Sequence, residues 1–141
     1  MIEEGRYGRA IDADQPFAAV VERVKEVLKA EGFGVLCEID VARTLKEKLG
    51  IEVPAYLILG ACNPQFAHRA LELEPDLGLL LPCNVIVCER DGTTHVAAVR
   101  AKAMLAVTGN TELTAIADDV DARLARALHG LAAGAARPIA K

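Results

Sequence analysis

The stretch Asn84-Val85-Ile86-Val87-Cys88-Glu89-Arg90-Asp91-Gly92-Thr93-Thr94-His95-Val96-Ala97-Ala98-Val99-Arg100-Ala101 decides the fold class. Two strand-like runs flank Asp91-Gly92, a dipeptide that accepts the positive φ angles of a two-residue hairpin turn. Residues 84–90 and 93–101 therefore read as antiparallel strands. With a two-residue turn, Arg90 faces Thr93, Glu89 faces Thr94 and Cys88 faces His95, with Cβ atoms about 4.5–5.5 Å apart. A hairpin here makes the sheet at least partly antiparallel.

Upstream, strand and helix patterns alternate. Residues 7–11 are a short strand candidate, and Asp12-Ala13-Asp14 offers caps ahead of Pro16. From Phe17, apolar Val20, Val21, Val24, Val27 and Leu28 recur at helical spacing up to Gly32. Residues 35–39 read as a strand. Asp40 is placed to cap a helix over 41–49, which Gly50 stops. Residues 55–61 form a nearly all-apolar strand. Asn63-Pro64 then supplies a cap and a first-turn proline for a helix running to about Glu74, before Pro75. Pro82 interrupts the apolar run 77–81, which reads as buried loop or edge. Thr111 caps a long helix with Leu113, Ile116, Val120, Leu124, Leu128 and Leu131 on one stripe. The order is β-α-β-α-β-α-β-β-α. It predicts one α+β domain over 1–141, with a mixed, partly antiparallel sheet and helices packed on one face. Its core is expected over about 7–133, with a frayed tail over 134–141.

Composition narrows the class. The 141 residues are 52% hydrophobic and 26% charged, which excludes a charge-solvated disordered chain and supplies a core. Sixteen Lys and Arg against twenty Asp and Glu give a net charge of −4, the wrong sign for a nucleic-acid groove. No apolar run approaches the length of a membrane span, and the opening Met1-Ile2-Glu3-Glu4-Gly5-Arg6 lacks a basic leader pattern. The expected location is the cytoplasm, with no nucleic acid and no membrane as partner. There the four cysteines would be free thiols or ligands, and no Cys-x-x-Cys pair is present.

The middle of the chain carries a specific order of motifs: Gly32-Phe33-Gly34-Val35-Leu36, Glu38-Ile39-Asp40, Thr44-Leu45, Lys48-Leu49-Gly50, then Tyr56-Leu57-Ile58-Leu59-Gly60-Ala61-Cys62-Asn63-Pro64 and Leu81-Pro82-Cys83-Asn84-Val85. Over residues 7–128 the chain resembles the bacterial and archaeal "domain of unknown function 302" family. The resemblance implies a small α+β domain and no particular reaction. Cys62-Asn63-Pro64 and Pro82-Cys83-Asn84 match the family pattern. At Cys88 relatives more often have an aromatic residue, and Cys37 is also a variable position, so the resemblance lowers both as site residues.

Cys62 ends a strand directly before the helix opened by Asn63-Pro64. A helix N-terminus stabilises a thiolate and lowers its pKa, which suits a redox thiol or a soft-metal ligand. Cys83 opens the next strand near the same rim. If the two thiols meet, they can share a metal or exchange between dithiol and disulfide. His68, six residues after Cys62, is a candidate base or ligand. The bland alternatives are buried thiols and an exposed helical histidine. Cys88 and His95 lack the third and fourth ligands that zinc needs. Glu38 and Asp40 share one strand face, where carboxylates are most often solvated.

The reading is a ligand site at Cys62, Asn63, His68 and Cys83 for a small molecule or a soft metal ion, with Cys62 and Cys83 as the metal ligands. The alternatives are a thiol redox protein, with Cys62 as nucleophile and Cys83 as resolving thiol, and a scaffold module. An exposed 77–81 segment would then serve as a homodimer surface. No cofactor is assigned. Nucleotide-binding and zinc-hydrolase motifs are absent from the sequence.

Overall fold

In the computed structural model, which describes residues 2–135 and side chains to residue 132, Asp91 and Gly92 take φ angles of 52° and 80°. They join strands Cys83–Arg90 and Thr93–Val99 in the register read from the turn, with Arg90 opposite Thr93 and Cys88 opposite His95. In chain order the elements are β1 (Glu3–Glu4), β2 (Gly8–Ala13), α1 (Phe17–Ala30), β3 (Gly34–Asp40), α2 (Val41–Leu49), β4 (Tyr56–Cys62), α3 (Pro64–Leu73), β5 and β6 as above, α4 (Ala101–Leu105) and α5 (Thr114–Ala135), with short 3-10 turns between some of them. The six strands form one sheet in the order β1-β2-β6-β5-β4-β3. Every neighbouring pair is antiparallel. The α+β architecture expected from the hairpin is therefore what forms, with antiparallel pairing throughout.

Strand alternation decides what the sheet buries. Leu59, Val85, Val87, Val96, Ala98 and Ile11 point to one face and belong to the core. There α1 and α5 pack across the sheet and against each other. The α1 stripe of Val20, Val21, Val24, Val27 and Leu28 is buried, and so are Leu113, just ahead of α5, and the α5 stripe from Ile116 to Leu131. Truncating a side chain such as Leu124 to alanine costs about 2–5 kcal/mol, from lost transfer energy plus the cavity left behind. The opposite face carries a cross-strand row of Ile39, Ile58, Ile86, Ala97 and Ala10. None of these joins the core, and Ile39 is 49% exposed.

Local caps form where the sequence places them. Asp40 Oδ1 accepts the Arg43 N–H at 2.9 Å, and Gly50 closes α2 in the left-handed region at φ 67°. Three boundaries differ from expectation. Asp12 and Ala13 stay in β2 because β6 offers them ladder partners in His95 and Thr94; Thr94 Oγ1 then donates to the Gln15 carbonyl at 2.8 Å. The strand expected to reach residue 101 stops at Val99, and Ala101 opens α4. Asn110, not Thr111, caps the approach to α5: its Oδ1 accepts the Glu112 N–H at 3.0 Å ahead of a 3-10 turn.

The 77–81 segment does not present a continuous apolar surface. Leu77 is buried in a 3-10 turn, Leu80 and Leu81 pack against the core, and Leu79 alone is strongly exposed. α5 continues through Ala135. The rest of the frayed tail expected over 134–141 lies outside the described residues.

Candidate functional site

Three strand ends meet where Cys62 and Cys83 stand. Cys62 is the last residue of β4 and pairs with Gly34, while its neighbour Ala61 pairs with Cys83 at the start of β5. α3 rises from this edge with Asn63 as its cap, Oδ1 accepting the Phe66 N–H at 3.4 Å. Phe66 and Ala70 turn inward from α3, and α4 and α5 close the other side.

Between them lies a cavity of about 380 Å3 lined by Cys62, Asn63 and Cys83, the residues singled out from the sequence. Its walls include Ala61, Ala67, Ala70 and Ala101. Four alanines facing one space leave the volume that larger side chains would fill. The space falls within the range of ligand pockets, about 300–1,000 Å3. Leu36 and Cys37, both exposed, reach its rim. Cys37 is held there by close packing: a Cβ on Gly60 would stand 2.6 Å from the Cys37 Sγ and 2.9 Å from Pro82 Cγ. No Lys, Arg, His, Asp or Glu side chain lines the wall.

The electrostatics correct one expectation. Burial raises the Cys62 thiol above its ordinary pKa, opposite to the lowering expected from the α3 N-terminus. Cys83 is pushed up to about 11, first by burial and then by the neighbouring Cys62 and by Asp121. Both thiols are therefore protonated at neutral pH and are weak nucleophiles.

His68 stands apart from this group. It sits two residues from both Phe66 and Ala70, so helical geometry turns it about 200° from each. Its side chain is 76% exposed, with Nε2 3.9 Å from Glu72 Oε2. Among the described residues no group of three His, Cys, Asp or Glu side chains is placed to hold a metal ion.

The family resemblance lowered Cys37 as a site residue, yet it lines the cavity, and Asp121 was not singled out from the sequence. Cys37 reaches the rim because the β3–β4 register shifts between Val35 and Cys37. Asp121 on α5 accepts the Ala101 N–H at 2.5 Å and the Lys102 N–H at 3.1 Å. It thereby fixes α4 as one wall. Its one visible signal is a carboxylate adjoining the apolar stripe at Val120 and Leu124.

The other pairs read from the sequence resolve differently. Glu38 and Asp40 line a cleft between α1 and α2. Both are committed, Glu38 to Lys25 Nζ at 2.6 Å and Asp40 to its cap. Cys88 faces His95 as expected, and Asp12 completes the row, its Oδ1 2.7 Å from His95 Nδ1. Cys88 is 3% exposed. Burial raises its thiol, with Arg90 pulling part of the way back.

The sequence profile described as Domain of unknown function DUF302 matches residues 9–131. The chain belongs to this family. Its fold agrees with a solved relative, the crystal structure titled "uncharacterized conserved protein DUF302 from Bacillus stearothermophilus". That protein is 33% identical, with a TM-score of 0.84 over 90% of this chain and 99% of the other. No curated protein matches the chain. In this DUF302 domain no helix among the described residues is long and apolar enough to cross a membrane.

Proposed function

We propose that this DUF302 protein binds a small organic molecule in the cavity between the sheet end, α3, α4 and α5. The observation that carries the reading is the convergence of Cys62, Asn63 and Cys83 on one space of about 380 Å3. A preformed concave site lined by apolar groups, with a few polar atoms, is the usual form of a small-molecule site. Against the soft-metal reading, no three His, Cys, Asp or Glu side chains among the described residues, the wall thiols included, are grouped to hold an ion. The thiol-redox reading needs a lowered pKa, and burial acts the other way on both thiols.

The chain contains no tryptophan, so indole fluorescence reports directly on uptake. Titrating indole is expected to give a saturable blue shift as the ring leaves water. Ala67→Phe places a ring into the cavity from α3 and should abolish the shift while the circular dichroism spectrum stays unchanged. A shift that survives in that variant would place the indole elsewhere and overturn the reading.

A further inference from the structure

We infer that the occupant of the cavity is an uncharged, lipophilic molecule, bearing neither carboxylate, phosphate nor ammonium. This rests on the reading of the cavity as a ligand site and names the chemical class it accepts.

The absence of charge follows from what the wall holds and from what its surroundings have already committed. No lining residue has a Lys, Arg, His, Asp or Glu side chain, so an ion would enter without a partner and lose its hydration. The nearest guanidinium groups do not compensate. Arg69 and Arg123 lie over the Phe66 ring, 5.2 and 5.3 Å from its centroid, and neither lines the cavity. Arg123 Nη1 also donates to the Glu31 carbonyl at 3.2 Å.

The α3 N-terminus, which would otherwise attract an anion, offers the cavity no free donor from its wall. Pro64 has no N–H, the N–H of Phe66 is taken by Asn63 Oδ1, and Gln65 does not line the cavity. A cation fares no better. Asp121, the carboxylate whose field reaches Cys83, already accepts from two backbone N–H groups and stands 3.8 Å from Arg9 Nη1. Apart from the neutral Asn63 amide, what remains for recognition is hydrocarbon, the Phe33 and Phe66 rings, the Met104 thioether and three thiols. These are polarizable surfaces that favour aliphatic and aromatic groups over hydrogen-bonding ones.

Three indoles of one shape separate the outcomes at pH 7.5: neutral 3-ethylindole, anionic indole-3-acetate and cationic tryptamine. Fluorescence titration of the wild-type protein is expected to show saturable binding of 3-ethylindole, with the two ions at least tenfold weaker. Ala67→Phe should abolish the 3-ethylindole signal. Leu71→Arg, at the rim, should strengthen indole-3-acetate at least fivefold by supplying the missing counter-charge. Either ion binding as tightly as 3-ethylindole would overturn the inference and leave the cavity reading standing. Failure of all three, together with failure of indole itself, would overturn both.

Discussion

Cys83 and Cys88 lie five residues apart on β5, and their surroundings separate them completely. Cys83 joins Cys62 at one end of the sheet, beneath α3, α4 and α5, beside an open volume. Cys88 points to the other face, where it stands in a row with Tyr56, His95 and Asp12 across four strands. By residue type the row is the richer constellation: a thiol, an imidazole and a carboxylate in line. By shape it is the poorer one. Cys88 is buried outside the core cluster, and the hollow beside His95 and Asp12 does not reach it. Small residues and helices that roof a strand end leave an open volume, whereas matched residue types on a flat pleat make a packed row.

The largest expected effect tests what holds the cavity's wall in place. Asp121 is the side chain that satisfies two N–H groups at the start of α4 and faces Arg9. Asp121→Ala leaves those donors and a largely buried guanidinium short of a partner. It should cost about 3 kcal/mol, the range for losing one member of a buried charged network. Urea unfolding measures it. Indole binding should weaken in parallel, because Ala101, Met104 and Leu105 line the cavity from α4. A loss below about 1 kcal/mol would mean that α4 is held by its apolar contacts alone, and the cavity would be a more robust feature than Asp121 makes it.

How much of this was legible in the sequence follows from the range of each signal. The Asp91-Gly92 turn, the Asp40 and Gly50 ends of α2 and the Asn63-Pro64 start of α3 are set by neighbours within four residues, and they formed as read. α4 was not legible, because its capping carboxylate comes from Asp121, twenty residues further on. Asn110 displaced Thr111 because either residue can cap, and only the chain's path past Glu74 decides: Asn110 Nδ2 donates there at 2.9 Å. Cys62 and Cys83 were legible as two strand ends, but their meeting depends on β4 and β5 being sheet neighbours. His68 could have been set aside from helical phase once Phe66 and Ala70 were taken as the inward positions. The alanines that create the volume carry no local mark at all, since alanine is also the commonest helix former.

The second effect concerns pH. The Cys83 thiol titrates near 9 when unfolded and at about 11 when folded. Below pH 9 both states hold the proton and stability is unaffected. Between pH 9 and 11 the unfolded state releases it first, so stability falls as pH rises through that window, by about 3 kcal/mol in all. Other groups titrate there too, so the comparison is with Cys83→Ala, whose stability should decline less over the same window. Equal slopes for the two proteins would place the Cys83 thiol in water and contradict its position on the cavity wall.

The smallest effect is the one that could promote the Asp12–His95–Cys88 row from packing to chemistry. The Asp12 side chain is 60% exposed, and its contact with His95 is a surface pair. Asp12→Asn should therefore lower stability by no more than about 1 kcal/mol. The informative readout is the alkylation rate of Cys88, followed by peptide mass spectrometry so that each cysteine reports separately. If the row worked as a nucleophile, base and orienting carboxylate, losing the carboxylate would slow Cys88 sharply. The electrostatics point the other way. The negative charge of Asp12 helps to keep the Cys88 thiol protonated, so Asp12→Asn should leave the rate unchanged or raise it slightly. A marked fall would make the flat row a reactive site and reverse its ranking against the cavity.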